Sequence, residues 1–362
     1  MKANQILVNY GDQAKEMVKE ILKEIKIEDE INKRELIALK PNLIKASKSK
    51  DGATTDPKIV EGIIEYLHEK GFENLIVMEG SWVGADTQHV FKYCGYENLS
   101  QKYEVPLYNL QNDNYVTKKY KDMEIELAET ALKADYIINL PVLKGHCQTT
   151  ITCALKNLKG CISNSEKRKF HRQGLHKPIA YLNKLLKQDL IIVDGIYGDL
   201  DFEEGGNPVK MNRIIAGQDP VLIDSYAAEL LGYSHEEIDY IKIANQIGRG
   251  EKDLKKAEII ELNKDQAKDI NYTSYKLTKL TEKIEAEDVC SSCYGSLIHA
   301  LKRIDEKGQL NEISDSIKIG QGYQEQKIKG IGIGNCCIKA EKNIKGCPPS
   351  AHEIYKFLKR NI

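Results

Sequence analysis

Short apolar runs alternate with amphipathic segments through the first two thirds of the chain. ELIALKPN, NLIVMEGS, ADYIINLP (residues 134–141) and DLIIVDGIYG (189–198) each have the composition of a buried strand. Between the first two of these runs, DPKIVEGIIEYLHEKG has helical periodicity. Apolar strands that alternate with helices are typical of a mostly parallel sheet with helices on both faces. The sequence therefore predicts an α/β fold of this kind.

Local signals fix where two of the predicted helices begin. Asp56 is a suitable N-cap and Pro57 suits the first helical position. Asp219 and Pro220 have the same relation in RIIAGQDPVLIDSYAAELLG, which predicts a strand followed by a helix. Since capping explains both aspartates, we do not assign them a catalytic role.

The composition changes along the chain and predicts two domains. Its 362 residues are more than one small core needs. We expect an α/β core domain over residues 1–285, in which residues 250–285 form a charged, partly helical connector. We expect residues 286–362 to form a smaller cysteine-rich module, either α/β or irregular, that ends in the helix SAHEIYKFLKR.

Charge and hydropathy exclude several classes of partner. The formal net charge of −1 gives no global basic character, so we expect no nucleic acid. The segment MKANQILVNYGD has no apolar signal region, and no apolar run reaches membrane-spanning length. We therefore expect a cytoplasmic protein that does not bind membranes. In that compartment, the nine cysteines suit ligand, catalytic or buried apolar roles better than disulfides.

Five of the cysteines lie in the last quarter of the chain, within CSSC, GNCC and GCPP. Four thiolates with one short Cys-x-x-Cys spacing are what a 4Fe–4S cluster needs, and proline after a ligand cysteine is common at such sites. We predict one cluster, held by Cys290, Cys293, Cys337 and Cys347, with Cys336 as the alternate to Cys337.

Other interpretations of these cysteines stay open. A structural zinc is the alternative metal, although zinc ribbons usually have two Cys-x-x-Cys knuckles and this chain has one. The thiols could also be buried apolar groups or a redox-active pair. The Cys-Cys pair followed by GCPP resembles a local pattern in small subunits of respiratory complex I and hydrogenases, over about a dozen residues.

Residues 140–177 form a second polar segment, which begins where a predicted buried strand ends. Cationic side chains and hydroxyls there suit a carboxylate, phosphate or pyrophosphate. The outer stretch, 165–177, is best explained as a solvated basic face, and the whole segment has that alternative. For catalysis we select Lys144, His146 and Lys156, with Asp194 at a strand end, and for binding Thr149, Thr150, Asn157 and Lys159.

LKPNL, TTDP, LPVLKGH–TT–T–ALKNLKG, IVDGIYG and AGQDPVLIDSYAAELLG together resemble the domain-of-unknown-function family numbered 362, over residues 36–250. Members are often described as iron–sulfur proteins, and many carry a ferredoxin-like C-terminal domain whose cysteine pattern this chain lacks. The resemblance therefore implies at most one cluster here. It also implies that Lys40 and Asn42 belong to the substrate site.

These observations favour a redox enzyme or electron-transfer protein with one 4Fe–4S cluster. It would act on a small anionic substrate and exchange electrons with a redox partner protein. One alternative is a non-redox enzyme of isomerase, lyase or transferase type, with a structural or Lewis-acid cluster. Another is a carrier of iron–sulfur clusters or metal.

Overall fold

The computed structural model describes residues 1–200, 203, 208–268 and 279–361, except for the side chains of Ser291 and Ser292. The chain divides into two compact units. The first unit contains Met1–Arg168 and His176–Asn271, and the second contains Lys169–Leu175 and Tyr272–Ile362. The boundary expected near residue 285 lies inside the second unit.

The first unit is built on one large, mostly parallel sheet with strand order β12-β1-β11-β10-β7-β2-β3-β4. Strands β8 and β9 extend it beside β10, and β5 and β6 form a separate antiparallel pair. The strands are β1 (Gln5–Tyr10), β2 (Ile37–Pro41), β3 (Leu75–Glu79), β4 (Leu107–Asn109), β5 (Tyr115–Tyr120), β6 (Met123–Ala128), β7 (Tyr136–Leu140), β8 (Val142–His146), β9 (Thr150–Thr152), β10 (Leu190–Asp199), β11 (Pro208–Gly217) and β12 (Glu258–Leu262).

Helices connect these strands, as the alternating pattern of the sequence predicts. They are α1 (Ala14–Ile25), α2 (Pro57–Glu69), α3 (Thr87–Tyr93), α4 (Tyr96–Tyr103), α5 (Glu129–Lys133), α6 (Ala154–Asn157), α7 (Asn164–Gln173), α8 (His176–Leu185), α9 (Pro220–Leu230) and α10 (Asp239–Gln246). The α/β fold class with a mostly parallel sheet is thus confirmed. Among the described residues, no helix is both long and apolar enough to cross a membrane.

Parallel pairing of β3, β2, β7 and β10 brings their carboxyl ends to the same edge of the sheet. Ile37 of β2 lies opposite Leu75 of β3 on one side and Tyr136 of β7 on the other. All residues of β2, β3 and β7 are buried. Ligands of such sheets bind beyond the carboxyl ends of the strands. The polar residues that follow these strands are therefore in position to form a site.

Both predicted N-caps are present. The side chain of Asp56 accepts a hydrogen bond from the backbone N–H of Lys58 (2.9 Å) at the start of α2. Asp219 accepts from the N–H groups of Val221 and Leu222 at the start of α9, at 2.8 and 3.1 Å. Capping explains these aspartates, as the sequence predicts.

The charged stretch after residue 250 is more than a connector. Its first half contains β12, which pairs in parallel with β1 at the edge of the large sheet. An edge strand can stay exposed along one side. The sequence of β12 is therefore as charged as that of a linker, although it forms a strand. Most of the helical half expected before residue 285 lies outside the described residues.

The second unit contains a smaller, wholly parallel sheet in the order β13-β14-β15-β16. Apolar residues of β14 and β15 and of the first helix form its core, among them Leu297, Leu301, Ile317 and Ile331. The first four residues of the glycine-containing segment GIGIGN lie inside β15. The elements are β13 (Ile284–Ala286), α11 (Ser291–Asp305), β14 (Ile317–Ile319), β15 (Ile328–Ile333), β16 (Ala340–Ile344) and α12 (Ala351–Lys359).

Candidate functional site

A buried ion pair lies at the ends of β2 and β3 in the first unit. Lys40 Nζ donates to Glu79 Oε2 at 2.9 Å, and both side chains are almost completely buried. Backbone N–H groups of Leu43 (3.0 Å) and Gly80 (2.7 Å) also donate to the Glu79 carboxylate. A buried ion pair is tolerated when further hydrogen bonds complete its geometry, as they do here. The charge of Lys40 is thus paired with Glu79 inside the protein, and this pair has a structural role beside the site.

A chain of side-chain amides connects this pair to the next lysine. Asn157 Oδ1 accepts from Asn42 Nδ2 at 2.9 Å and from Lys40 Nζ at 3.3 Å. Asn157 Nδ2 donates to Asn139 Oδ1 at 2.7 Å. Asn42 Oδ1 in turn accepts from Lys144 Nζ at 2.6 Å. Because each amide is held at both ends, these residues position Lys144.

Lys144 lies in β8 and is completely buried. Its Nζ donates to Asn42 Oδ1 (2.6 Å), the carbonyl oxygen of Ala53 (2.7 Å) and the carbonyl oxygen of Glu203 (2.8 Å). Burial lowers the pKa of Lys144 to about 7, although the nearby Glu203 carboxylate opposes the shift. An ammonium group has three N–H donors, and three acceptors satisfy them here. The observed contacts therefore suit charged Lys144.

His146 is the last residue of β8, and backbone N–H groups hold its side chain. Its Nδ1 accepts from the N–H groups of Gln148 and Thr149, both at 3.0 Å, so the ring proton lies on Nε2. Nε2 is 3.4 Å from Glu203 Oε1. Burial and the charge of Lys156 lower the pKa of His146 to about 4. At neutral pH His146 is thus a neutral donor, whereas the sequence suggested a group that titrates near neutrality.

Lys156 in α6 completes the contacts of Glu203. Its Nζ donates to Thr152 Oγ1 at 3.0 Å and to the Glu203 carboxylate. Burial raises the pKa of Glu203, but Lys156 and His146 outweigh it and hold that pKa well below its ordinary value. Burial, followed by the charge of Lys156, lowers the pKa of Lys159 to about 7. We call Lys144, His146, Lys156 and Lys159 the basic cluster.

Glu203 was not among the residues selected from the sequence. It follows β10 in the acidic, glycine-containing stretch DFEEGG, where nothing in the local pattern separates one glutamate from the other. The one usable signal was position, because the stretch follows a strand that the sequence predicts correctly.

The remaining selected residues of the first unit have local structural partners. Asp194 accepts from the backbone N–H groups of Asp56 (2.8 Å) and Ile196 (3.1 Å), which ties the start of α2 to β10. Burial raises the pKa of Asp194 to about 7. Thr149 Oγ1 donates to the carbonyl oxygen of Ile151 at 3.0 Å. Thr150, in β9, is half-buried and has a positive φ of 67°.

The outer stretch 165–177 was interpreted as a solvated basic face, and Lys167 departs from that. Lys167 is buried, and its Nζ donates to the carbonyl oxygens of Gly80 and Ser81, both at 3.0 Å. Burial lowers the pKa of Lys167 to about 8. The side chain therefore fixes the loop after β3.

Four cysteines of the second unit line one cavity that is partly open to solvent. They are Cys290, Cys293, Cys336 and Cys347, and we call their site the thiol cavity. Cys290 is the N-cap of α11, Cys336 follows β15 and Cys347 follows β16. These cysteines thus lie beyond the carboxyl ends of parallel strands, where such sheets place ligands.

The structure separates the adjacent pair Cys336 and Cys337, and it corrects the preferred choice. Cys337 does not line the thiol cavity. It is completely buried, packs with Tyr323 and Ile328, and its Sγ lies 3.5 Å from the carbonyl oxygen of Lys318. Consecutive side chains of an irregular turn point in different directions, so only one of the pair can face the cavity. Geometry therefore favours Cys336.

Two glutamine amides lie against the thiols. Gln321 Nε2 donates to Cys290 Sγ at 3.3 Å, and Gln324 Nε2 donates to Cys336 Sγ at 3.6 Å. Burial, followed by the neighbouring thiols, raises the pKa of Cys293 to about 12. Amide donors to sulfur are a feature of iron–sulfur sites, and bound metal keeps coordinating thiols deprotonated.

In the described part of the chain, no group of three or more carboxylate, imidazole or thiol side chains is placed to hold a metal ion. A 4Fe–4S cube would carry its thiolates on four separate irons. The residues of the thiol cavity that could hold such a cluster are Cys290, Cys293, Cys336 and Cys347.

Comparison with known proteins gives one curated relative and one solved structure of interest. The thylakoid-associated protein sll1697 of Synechocystis sp. is 26% identical over 223 residues, which are 59% of this chain and 68% of that protein. The lactate racemase apoprotein of Thermoanaerobacterium thermosaccharolyticum is 14% identical with a TM-score of 0.37. That similarity covers 67% of this chain and only 57% of the racemase, and it carries no functional argument.

The family described as "Domain of unknown function (DUF362)" matches residues 37–229. This range contains the Lys40–Glu79 pair, the basic cluster and Glu203, whereas the thiol cavity lies outside it. The match covers more than half of the sequence, and its residues are those in which the motifs resemble that family. The chain belongs to the DUF362 family.

Proposed function

We propose that this protein binds one 4Fe–4S cluster in the thiol cavity, through Cys290, Cys293, Cys336 and Cys347. The observation that carries the proposal is that these four thiols, from three separate stretches of sequence, line one cavity. A structural zinc is the alternative, but it would need four thiolates converged on one ion. The chain has only one Cys-x-x-Cys knuckle, which supports the cluster over a zinc ribbon.

The proposed activity is that of a redox enzyme or electron-transfer protein. When bound, the cluster would accept and give single electrons. The basic cluster of the first unit would bind a small anionic substrate, since buried ammonium groups and an imidazole N–H are suitable partners for a carboxylate. A second protein would exchange electrons with the cluster. We place the protein in the cytoplasm, where thiols stay reduced.

One observation favours a non-redox enzyme as the second candidate. The basic cluster belongs to the first compact unit and the thiol cavity to the second. A cluster with a purely structural role would leave the lysines and His146 to do the chemistry alone. Substrate would then leave the oxidation state of the cluster unchanged.

The adjacent cysteines provide a matched test of the cofactor. The wild-type protein, purified without oxygen, should contain iron and acid-labile sulfide in a ratio of about four each per chain. Cys336→Ser should lose most of both, because a ligand thiolate is removed. Cys337→Ser should keep them, because its thiol faces away from the cavity. A colourless wild-type protein that contains zinc, or equal loss in both variants, would contradict the proposal.

The redox role is tested on the same preparation by electron paramagnetic resonance. A redox enzyme should show a change in the cluster signal when substrate is mixed with the oxidised or reduced protein. An unchanged signal during measurable turnover would assign the protein to the non-redox alternative.

A further inference from the structure

We propose that Glu203 acts as an internal ligand of the basic cluster, and that the external ligand is a linear dicarboxylic acid of about the length of glutarate. This inference rests on the proposed function only in that the first unit binds a small anion. It adds the chemical class of that anion. We infer this class from the atoms of Glu203 that the basic cluster contacts.

The carboxylate of Glu203 is bound as a substrate carboxylate would be. Lys156 Nζ donates to Oε2, and His146 Nε2 lies 3.4 Å from Oε1. One oxygen therefore faces an ammonium and the other a neutral N–H donor. The side chains of Lys156 and His146 are each 3% exposed and that of Glu203 is 21% exposed, so the carboxylate has exchanged part of its water for protein donors.

The backbone of Glu203 provides a second recognised oxygen. Its carbonyl oxygen accepts from Lys144 Nζ at 2.8 Å. Within one residue, the carbonyl carbon is joined to the side-chain carboxylate carbon through Cα, Cβ and Cγ. A five-carbon chain with an oxygen function at each end reproduces this arrangement. Glutarate has that length, and its second carboxylate would face an ammonium group.

The charges of the site explain why an anion is needed there. Lys144 and Lys156 are buried, and Lys159 adds a further positive charge nearby. Glu79 is already paired with Lys40, and Asp199 acts on Lys144 from β10. Removal of the Glu203 carboxylate would leave Lys156 without a carboxylate contact among the described residues. Since unpaired buried charge is costly, a diacid would replace Glu203 favourably.

A competing explanation makes Glu203 a permanent acid or base of the site. The two explanations predict opposite effects of removing the charge. An internal ligand occupies the site and weakens the apparent affinity for an external one in proportion to its occupancy. A permanent member of the site contributes to ligand binding or leaves it unchanged.

The test is calorimetric titration of glutarate into the full-length protein as purified without oxygen. Glu203→Gln keeps the backbone carbonyl and should bind glutarate at least about tenfold more tightly than wild type, because the internal competitor is weakened. Glu16→Gln removes the same charge from the exposed face of α1 and should bind as wild type does. Butyrate and malonate, which lack the second carboxylate or the length, should bind Glu203→Gln more weakly than glutarate.

The remaining outcomes also decide the proposal. Equal or weaker glutarate binding by Glu203→Gln overturns the internal-ligand role. Binding of phosphate but not glutarate keeps an anion site and overturns the dicarboxylate class. If Glu203→Gln is unstable, glutarate should raise its melting temperature more than that of Glu203→Asp, and no rise overturns the proposal. Iron and sulfide assays of the same samples report on the cluster separately.

Discussion

Unlike Glu79 and Glu203, which pair with lysines, Asp224 is a buried carboxylate that accepts hydrogen bonds from backbone N–H groups. Asp224 in α9 is completely buried and accepts from the N–H groups of Ala154 (2.7 Å) and Leu155 (3.3 Å) at the start of α6. Burial raises its pKa to about 7, and these two hydrogen bonds oppose the shift only in part. The position of Lys156, which lies just beyond, therefore depends on a carboxyl group that titrates near neutrality.

This arrangement predicts a pH-dependent stability that Asp224→Asn should remove. The native pKa lies above the unfolded value of 3.8, so the native state holds the extra proton. Wild-type stability, relative to the variant, should be highest near pH 4 and should fall by up to about 4 kcal/mol as the pH rises to about 7. Urea unfolding of both proteins across that range measures the difference. A constant difference would show that Asp224 does not titrate there.

Residue-level prediction was limited by the direction of side chains. The sequence predicts Cys290, Cys293 and Cys347 as ligands but does not separate Cys336 from Cys337, since neighbours in a turn share the same local pattern. Glu203 was missed for a related reason, because its partners come from β8 and α6, far away in sequence. Spacing predicts which residue types gather, whereas tertiary packing decides which atoms meet.

Elements were predicted well where local chemistry determines them. The strand ends at Pro41, Glu79 and Leu140, and the caps of α2 and α9, follow directly from apolar runs and Asp-Pro pairs. β12 was missed because an exposed edge strand lacks the apolar signal. The parallel sheet of the second unit was also not specified, since β13, β14 and β16 are short and β15 is interrupted by two glycines.

The close approach of the turn after α6 to the ends of β2 and β3 can be tested at Gly160. A Cβ there would collide with Glu79 Oε1 and lie 2.7 Å from Lys40 Cε. Gly160→Ala should therefore lower the free energy of unfolding by about 1–3 kcal/mol, because the buried ion pair must shift. Gly84→Ala is the control, since its new Cβ would come no closer than 4.0 Å to another residue. Equal stability of the two variants in urea would contradict this geometry.

At the scale of the whole molecule, the two compact units have separate cores and separate candidate sites. The family match covers part of the first unit and, of the second unit, only the short segment Lys169–Leu175. From the concentration of cysteines near the C-terminus, the sequence predicts two domains with a boundary near residue 285. Composition could not predict that Lys169–Leu175 is grouped with the second unit, because that short segment carries no distinguishing pattern.

Removal of the proposed iron–sulfur cluster should therefore lower the stability of the second unit alone. A ligand that binds only the native state stabilises the part that holds it. We expect chelation of iron, or Cys336→Ser, to lower the melting temperature of the second unit and to leave that of the first unchanged. Calorimetry should show two transitions of which only one moves, and hydrogen exchange should assign the moving one to residues 279–361. A common shift of both transitions would contradict independent stability.

The thiols of the second unit become neighbours through the pairing of β14, β15 and β16, which orders the loops that carry them. A chain in which this sheet has not formed keeps Cys293 and Cys347 apart in space as well as in sequence. Insertion of the proposed cluster should thus follow the folding of this sheet, and incorporation of iron would report that the C-terminal sheet is complete.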